Sequence, residues 1–238
     1  MGNGGYVAGR LAELLCEGPD PLMPADVVEL TLRAPVPLDT PMTVTRSGRS
    51  LSIHHGDTLI AMGAAAEQEP LDIPQAPSFD GALALQPTSA SFRRTFNPML
   101  NEERIGAHPI CFCCGADIEP GAGLHVYSAP VPGTNTMVAA AWQCPPAYGV
   151  DGFLPPNVIW TALDCPGQFA WYEETGAGAL LGRITGRILG LVAADERCVV
   201  IGWTMGVDGR KMLAGTALFD STGDLRAYAK AVWFPFNR

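Results

Sequence analysis

Charge is scarce in this 238-residue chain: 16% of its residues are Asp, Glu, Lys or Arg, and only 15 are basic. The net charge of −9 and a pI near 4.8 argue against a nucleic-acid groove, which needs clustered Lys and Arg to neutralise phosphates. Long apolar runs are missing too. No stretch of 18 apolar residues occurs, and the opening MGNGGYVAGRLAELL has no basic segment leading into an apolar core, so neither a membrane span nor a secretion signal is expected. Tyr6 stands where a myristoylation signal would want Ser or Thr, so lipidation is not expected either. The seven cysteines are an odd number, which suits a reducing compartment better than a disulfide framework. A cytoplasmic location is the expectation.

What is present is apolar mass. At 47% hydrophobic residues the chain can bury a large core, as one big domain or two ordinary ones. Between residues 69 and 109 prolines recur (Pro70, Pro74, Pro77, Pro87, Pro98, Pro109) and apolar periodicity fades, which reads as a linker joining units 1–68 and 110–238.

The two units are weak copies of one plan. In the first, GNGGYVAGRLAELL reads as a helix, with Tyr6, Val7, Leu11, Leu14 and Leu15 at helical spacing, followed by the strands VVELTLRAPV, PMTVTRSGRSLSIHH and DTLIAMGAA. In the second, PPNVIWTALDCPGQFAWYEE reads as one helix, followed by GRITGRILGLV, RCVVIGWTMGVDGRKMLAGTALFD and GDLRAYAKAVWF. Gly5 falls on Asn157, Gly48-Arg49 on Gly209-Arg210, and Gly56-Asp57 on Gly223-Asp224, with longer hairpins in the second copy. The second copy also has GLHVYSAPV and TMVAAAWQC ahead of its helix. The first begins almost at the helix, having lost its leading strand or starting upstream of Met1. A helix followed by an antiparallel meander is an α+β plan in which the sheet wraps the helix.

These segments resemble the hot-dog thioesterase superfamily, and in particular the double-hot-dog enzymes of the acyl-CoA thioesterase II type. The resemblance rests on NGGY, LTLRAPVPLDTPMTV and SGRSLSIHHGDTLIA in the first half, and on WTALDCPGQFAW and GRKMLAGTALFDSTGDLRAYA in the second. HPICFCCGADIEPGAGLHV is similar to the opening segment of single-domain relatives. It implies a tandem hot-dog fold, a pseudo-dimer that associates into homo-oligomers, and hydrolysis of an acyl-CoA with no cofactor beyond the CoA of the substrate. In that family an Asp in the second-half helix works with a Thr and a Gln to place the attacking water. Asp164 falls on the Asp position and Thr204 on or near the Thr position. The Gln does not carry over: its place is filled by about Ala231, between Lys230 and Trp233.

The residues themselves support a composite site. Gly4-Gly5 opens the first helix with bare N–H groups, whereas the matching place in the second copy is Pro156-Asn157, where proline offers none. Conversely, Asp164 lies seven residues after Asn157, while seven after Gly5 comes Ala12. One half keeps an oxyanion donor, the other a carboxylate, and Asp164 in an apolar setting would be costly to bury without a task. Glu13, one residue past Ala12, points elsewhere on a helix and is a weak substitute.

Other chemistries find less support. His108, Cys111, Cys113 and Cys114 could suggest zinc, but no second C-x(2–4)-C knuckle follows and Cys144, Cys165 and Cys198 read as isolated, so a buried turn without metal is expected. Cys165 has no following His in its repeat to make it a nucleophile. None of His54, His55, His108 or His125 follows an Asp at the spacing of the fold's hydratases. The alternative to a hydrolase is a non-catalytic hot-dog protein that binds an acyl ligand or serves as an assembly unit.

Overall fold

The computed structural model describes residues 1–15, 26–67, 70–97 and 101–236. Helix α1 (Gly4–Leu15) is followed by strands β1 (Val27–Leu32), β2 (Thr43–Ser47), β3 (Ser50–His55) and β4 (Thr58–Ala66). A middle stretch carries α2 (Phe79–Leu85) and a small hairpin, β5 (Arg94–Asn97) with β6 (Glu102–Ile105). The second unit runs β7 (Ala129–Pro130), β8 (Met137–Gln143), α3 (Pro156–Ala162), α4 (Cys165–Thr175), β9 (Ala179–Ile188), β10 (Arg197–Asp208), β11 (Lys211–Phe219) and β12 (Leu225–Pro235).

Ten strands form one sheet in the order β2-β3-β4-β1-β9-β12-β11-β10-β8-β7. The order β1-β4-β3-β2 in the first unit repeats as β9-β12-β11-β10 in the second, with β1 and β9, the first strand after each helix, pairing antiparallel from Val28↔Gly186 to Thr31↔Arg183. This is the tandem hot-dog arrangement. The matched glycines sit at matched turns: Gly48 and Gly209 close their hairpins at φ 57° and 59°, a conformation glycine adopts without steric penalty. In the second unit β8 covers the outer edge of β10. The corresponding edge of β2 has no strand beside it among the described residues, and all five residues of β2 are exposed.

Both helices lie on one face of the sheet, over a core that includes Leu11, Leu30, Trp160, Phe169, Ile184 and Leu218. The side of α1 that is buried is small: Gly5, Ala8, Gly9 and Ala12, with Leu11 and Leu15, while Tyr6 and Leu14 face outward. A Cβ on Gly5 would run into the carbonyl oxygen of Trp160, and one on Gly9 into Cα of Asn157, so these two glycines set how closely α1 lies on α3.

The second-half helix, expected to be continuous, is broken. Pro166 has no N–H for a bond to Ala162 and its ring clashes with that carbonyl, so α3 ends at Ala162 and α4 starts at Cys165. Gly176, at φ 67°, stops α4 with its N–H bonded to the Tyr172 carbonyl. The expected strand GLHVYSAPV shrinks to Ala129–Pro130. The Pro-rich stretch lies on the opposite face of the sheet, where Leu71, Ile73, Ala76, Phe79 and Ala82 pack on Val199, Ile201, Trp203 and Tyr228.

Candidate functional site

The helix break puts Asp164 between α3 and α4, at the N-cap position of α4, yet its side chain makes no capping bond to its own helix. It turns instead to the other half of the molecule. The main-chain N–H of Gly5 donates to Asp164 Oδ2 at 2.9 Å, a buried bond between residues 159 apart in the chain. Asn3 holds the same helix end, its Oδ1 accepting from the Tyr6 N–H at 2.9 Å while its side chain also interacts with Asp164. Oδ1 of Asp164 is buried with no hydrogen-bond partner among the described residues. Burial pushes the carboxyl up to about 7, against the opposing pull of the Gly5 N–H and the Asn3 side chain, and nearby Cys111 adds to the rise.

The pseudo-twofold relation extends to a second bond. Glu13, on α1, is drawn toward the main-chain N–H of Asn157 near the start of α3 and pairs with Arg10 at 2.5 Å. Each of the two helix starts thus faces a carboxylate from the other half of the molecule. The two ends are unequal: Asp164 has no cation partner and is 3% exposed, while Glu13 has Arg10 beside it. Burial still raises Glu13, with Arg10 and Asn157 opposing.

Gln168 lies one helical turn beyond Asp164 and is 1% exposed. Its Oε1 is 3.1 Å from His108 Nε2, and its Nε2 has no partner. An acceptor oxygen and a donor nitrogen, both buried and without partners among the described residues, therefore sit at i and i+4 across the start of α4, a spacing that on a helix brings side chains onto one face. Sequence comparison sought a glutamine only in the last strand and passed over this one. Thr216 was missed as well: it is fully buried on β11, its methyl lies beneath Gly167, and its hydroxyl is unpaired, as is the indole N–H of Trp233 nearby.

Thr204 is placed less closely. Gly202, where a Cβ would run into the Pro166 carbonyl, faces the start of α4, so Thr204 two residues on lies on the same sheet face. It is half-buried at a bulge before Gly206, and among the described residues no hydrogen bond joins it to Asp164. The Gly5 N–H, expected to be bare, is occupied by Asp164.

Cys165, which read as isolated, meets the CFCCG segment: its sulfur is 3.5 Å from that of Cys111, and the sulfurs of Cys111, Cys114 and Cys165 all lie within 4.8 Å of one another. Among the described residues this is the group that could hold a metal ion. A cleft of about 620 Å³ lies on the opposite face of the sheet, lined by Glu29, Arg183, Thr185, Lys211, Tyr228 and Lys230, and does not reach Asp164. Asp164 Oδ1 and Gln168 Nε2, both buried and without a partner among the described residues, lie apart from that cleft.

No family model matches the chain, and no curated protein matches it. Among solved structures, a protein of Novosphingobium aromaticivorans designated a thioesterase superposes with a TM-score of 0.61 at 16% identity, covering 98% of this chain and 87% of its own. The tesB protein of Mycobacterium avium subspecies paratuberculosis gives 0.57 at 13% identity, with 98% and 87% covered. A Thermobifida fusca protein designated thioesterase II gives 0.56 at 15% identity, with 99% and 88% covered. At such identities the likeness is one of fold: the whole chain, from α1 to β12, has the tandem hot-dog fold of these proteins.

Proposed function

We propose that the chain hydrolyses an acyl thioester, with an acyl-CoA as the first substrate class to test and Asp164 as the group that activates water. The observation that carries this reading is the division of labour on one carboxylate: Oδ2 is held by the Gly5 N–H at 2.9 Å, while Oδ1 is buried, unpaired and free to accept from a water. A thioester carbonyl is already electrophilic, so the reaction needs a positioned water, a base and a donor for the developing oxyanion. Water attacks the carbonyl carbon as its proton passes to Oδ1. Collapse of the tetrahedral intermediate breaks the C–S bond and expels the thiolate, which takes up a proton. Gln168 Nε2 and the Thr204 hydroxyl are the groups suited to orient the water. With the Gly5 N–H occupied, the donor left for the oxyanion at the mouth of α1 is the N–H of Gly4, which as the first helical residue has no intrahelical acceptor.

The same geometry favours a second reading, a non-catalytic protein in which Asp164 clasps the two helices. Its support is the 3% exposure of Asp164 and the matching approach of Glu13 to the Asn157 N–H. The test is purified full-length protein assayed over acyl-CoAs of graded chain length by release of free thiol. Hydrolysis that disappears in Asp164→Asn supports the first reading. No release from any thioester supports the second.

A further inference from the structure

We propose that Cys111, Cys114 and Cys165 form a binding site for a thiophilic d10 cation, zinc in the first instance, which ties the opening segment of the second unit to the start of α4. The inference is independent of the hydrolase reading.

Sequence spacing argued against metal because Cys165 looked remote from the CFCCG segment, a premise that the structure removes. The three sulfurs lie within 4.8 Å of one another, and the pair Cys111–Cys165 is 3.5 Å apart. A zinc ion with bonds of about 2.3 Å in a tetrahedron spaces its sulfurs about 3.8 Å apart, so the cluster needs only small adjustments to close on an ion. Cys111 and Cys114 stand in a C-x-x-C spacing within one tight turn, in which Gly115 N–H bonds back to the Cys111 carbonyl at 2.8 Å. Cys165 comes from 51 residues on, as the first residue of an 11-residue helix.

The turn is built to hold this position. Ser91 Oγ donates to the Cys114 carbonyl at 3.0 Å, and the N–H groups of Leu124 and Val126 bond the carbonyls of Phe112 and Cys113 at 2.9 and 2.8 Å. Cys114 and Cys165 are buried at 1% and 7% exposure, while Cys111 is only partly buried and offers a path for an ion. Soft sulfur donors select zinc or cuprous copper over hard cations, and none of the three faces a carboxylate oxygen inside the cluster. Binding releases one proton per thiol and leaves a fourth corner for an exogenous donor. Because Cys165 follows Asp164 directly, the ion would also pin the helix break.

The test uses full-length protein purified under a phosphine reductant without chelator. Elemental analysis is expected to find about one zinc per chain, and added cobalt to give thiolate charge-transfer and tetrahedral visible bands. Cys111→Ser and Cys165→Ser are each expected to weaken binding on the order of 100-fold or more, beyond the effect of losing an outer partner. Cys198→Ser, a buried thiol outside the cluster, should keep full stoichiometry. The proposal fails if the reduced wild type neither retains zinc nor takes up cobalt, or if Cys165→Ser binds as the wild type does. Should Cys165→Ser not fold, the partly exposed Cys111→Ser carries the same test, and full binding in that variant overturns the site.

Discussion

Gly9 lies so close to Asn157 that a Cβ on the glycine would overlap Cα of the asparagine. Main chain meets main chain at that point, so neither side can yield without moving a helix. Gly9→Ala should therefore destabilise the fold by about 1–3 kcal/mol, as overpacked interiors do. Gly4→Ala meets the tip of Leu181 at 2.7 Å, a flexible end that can turn aside, and should cost less. Denaturant unfolding of the two variants checks the order, and an equal or reversed loss would contradict it.

Asp164→Asn keeps an oxygen for the Gly5 N–H but cannot take a proton. Turnover should fall about 10²–10⁴-fold with KM within a few fold. Asp164→Ala removes the acceptor too and should also lose about 1–3 kcal/mol of stability, because the Gly5 N–H is left buried and unpaired. If Asp164 is only a clasp, Asn keeps the rate and Ala alone is harmed. Turnover and melting temperature measured on both variants separate these outcomes.

Gln168→Leu leaves the volume of the side chain roughly in place and deletes the unpaired amide nitrogen together with the Oε1 contact to His108. If that amide orients the water, the rate should drop by up to about 100-fold, the scale on which small misplacements act. A Leu variant with the wild-type rate removes Gln168 from the mechanism.

Asp220 sets a stability window in acid. Its burial would raise its pKa, but bonds from the Thr222 N–H and hydroxyl at 2.9 and 2.7 Å, the Asp224 N–H at 3.0 Å and the Arg226 side chain outweigh that and hold it below the usual range. A carboxylate lowered on folding contributes stability above its unfolded value of about 3.9 and loses it as pH falls through the folded value. Wild type should weaken between about pH 5 and pH 2 by more than Asp220→Asn does, and the variant should be the less stable of the two near neutrality. Urea unfolding across that range is the measurement.

The edge of β2, beside which no strand lies among the described residues, bears on association. An exposed edge strand can template another, so the chain should run in light scattering at a multiple of its 25.2 kDa mass. A clean monomer would contradict this.

The strand plan was legible because alternating apolar residues and hairpin glycines are local signals, and Asp164 was legible because a carboxylate in TALDCPG is out of place chemically. The buried face of α1 was not: periodicity pointed to Tyr6 and Leu14, whereas a close helix crossing selects Gly5, Ala8, Gly9 and Ala12, whose value lies in having little side chain. The break at Pro166 was written in the sequence, since proline inside a helix removes a bond, but the apolar run on either side masked it. Gln168 and Cys165 were hidden for another reason. Their significance depends on His108 and Cys111, which reach them only through the folded path of the second unit's opening segment.

The pairing of β1 with β9 has a consequence during synthesis. Val28 waits for Gly186, which is translated about 158 residues later, and at roughly 5–20 residues per second that interval is about 8–32 s. Throughout it the nascent first unit presents one open side of β1, and for most of it also the bare face of α1, whose partner α3 has not yet been made. Holdase chaperones that bind such apolar, strand-bearing intermediates should therefore meet this chain on the ribosome, and protection should end only when the last third of the polypeptide emerges.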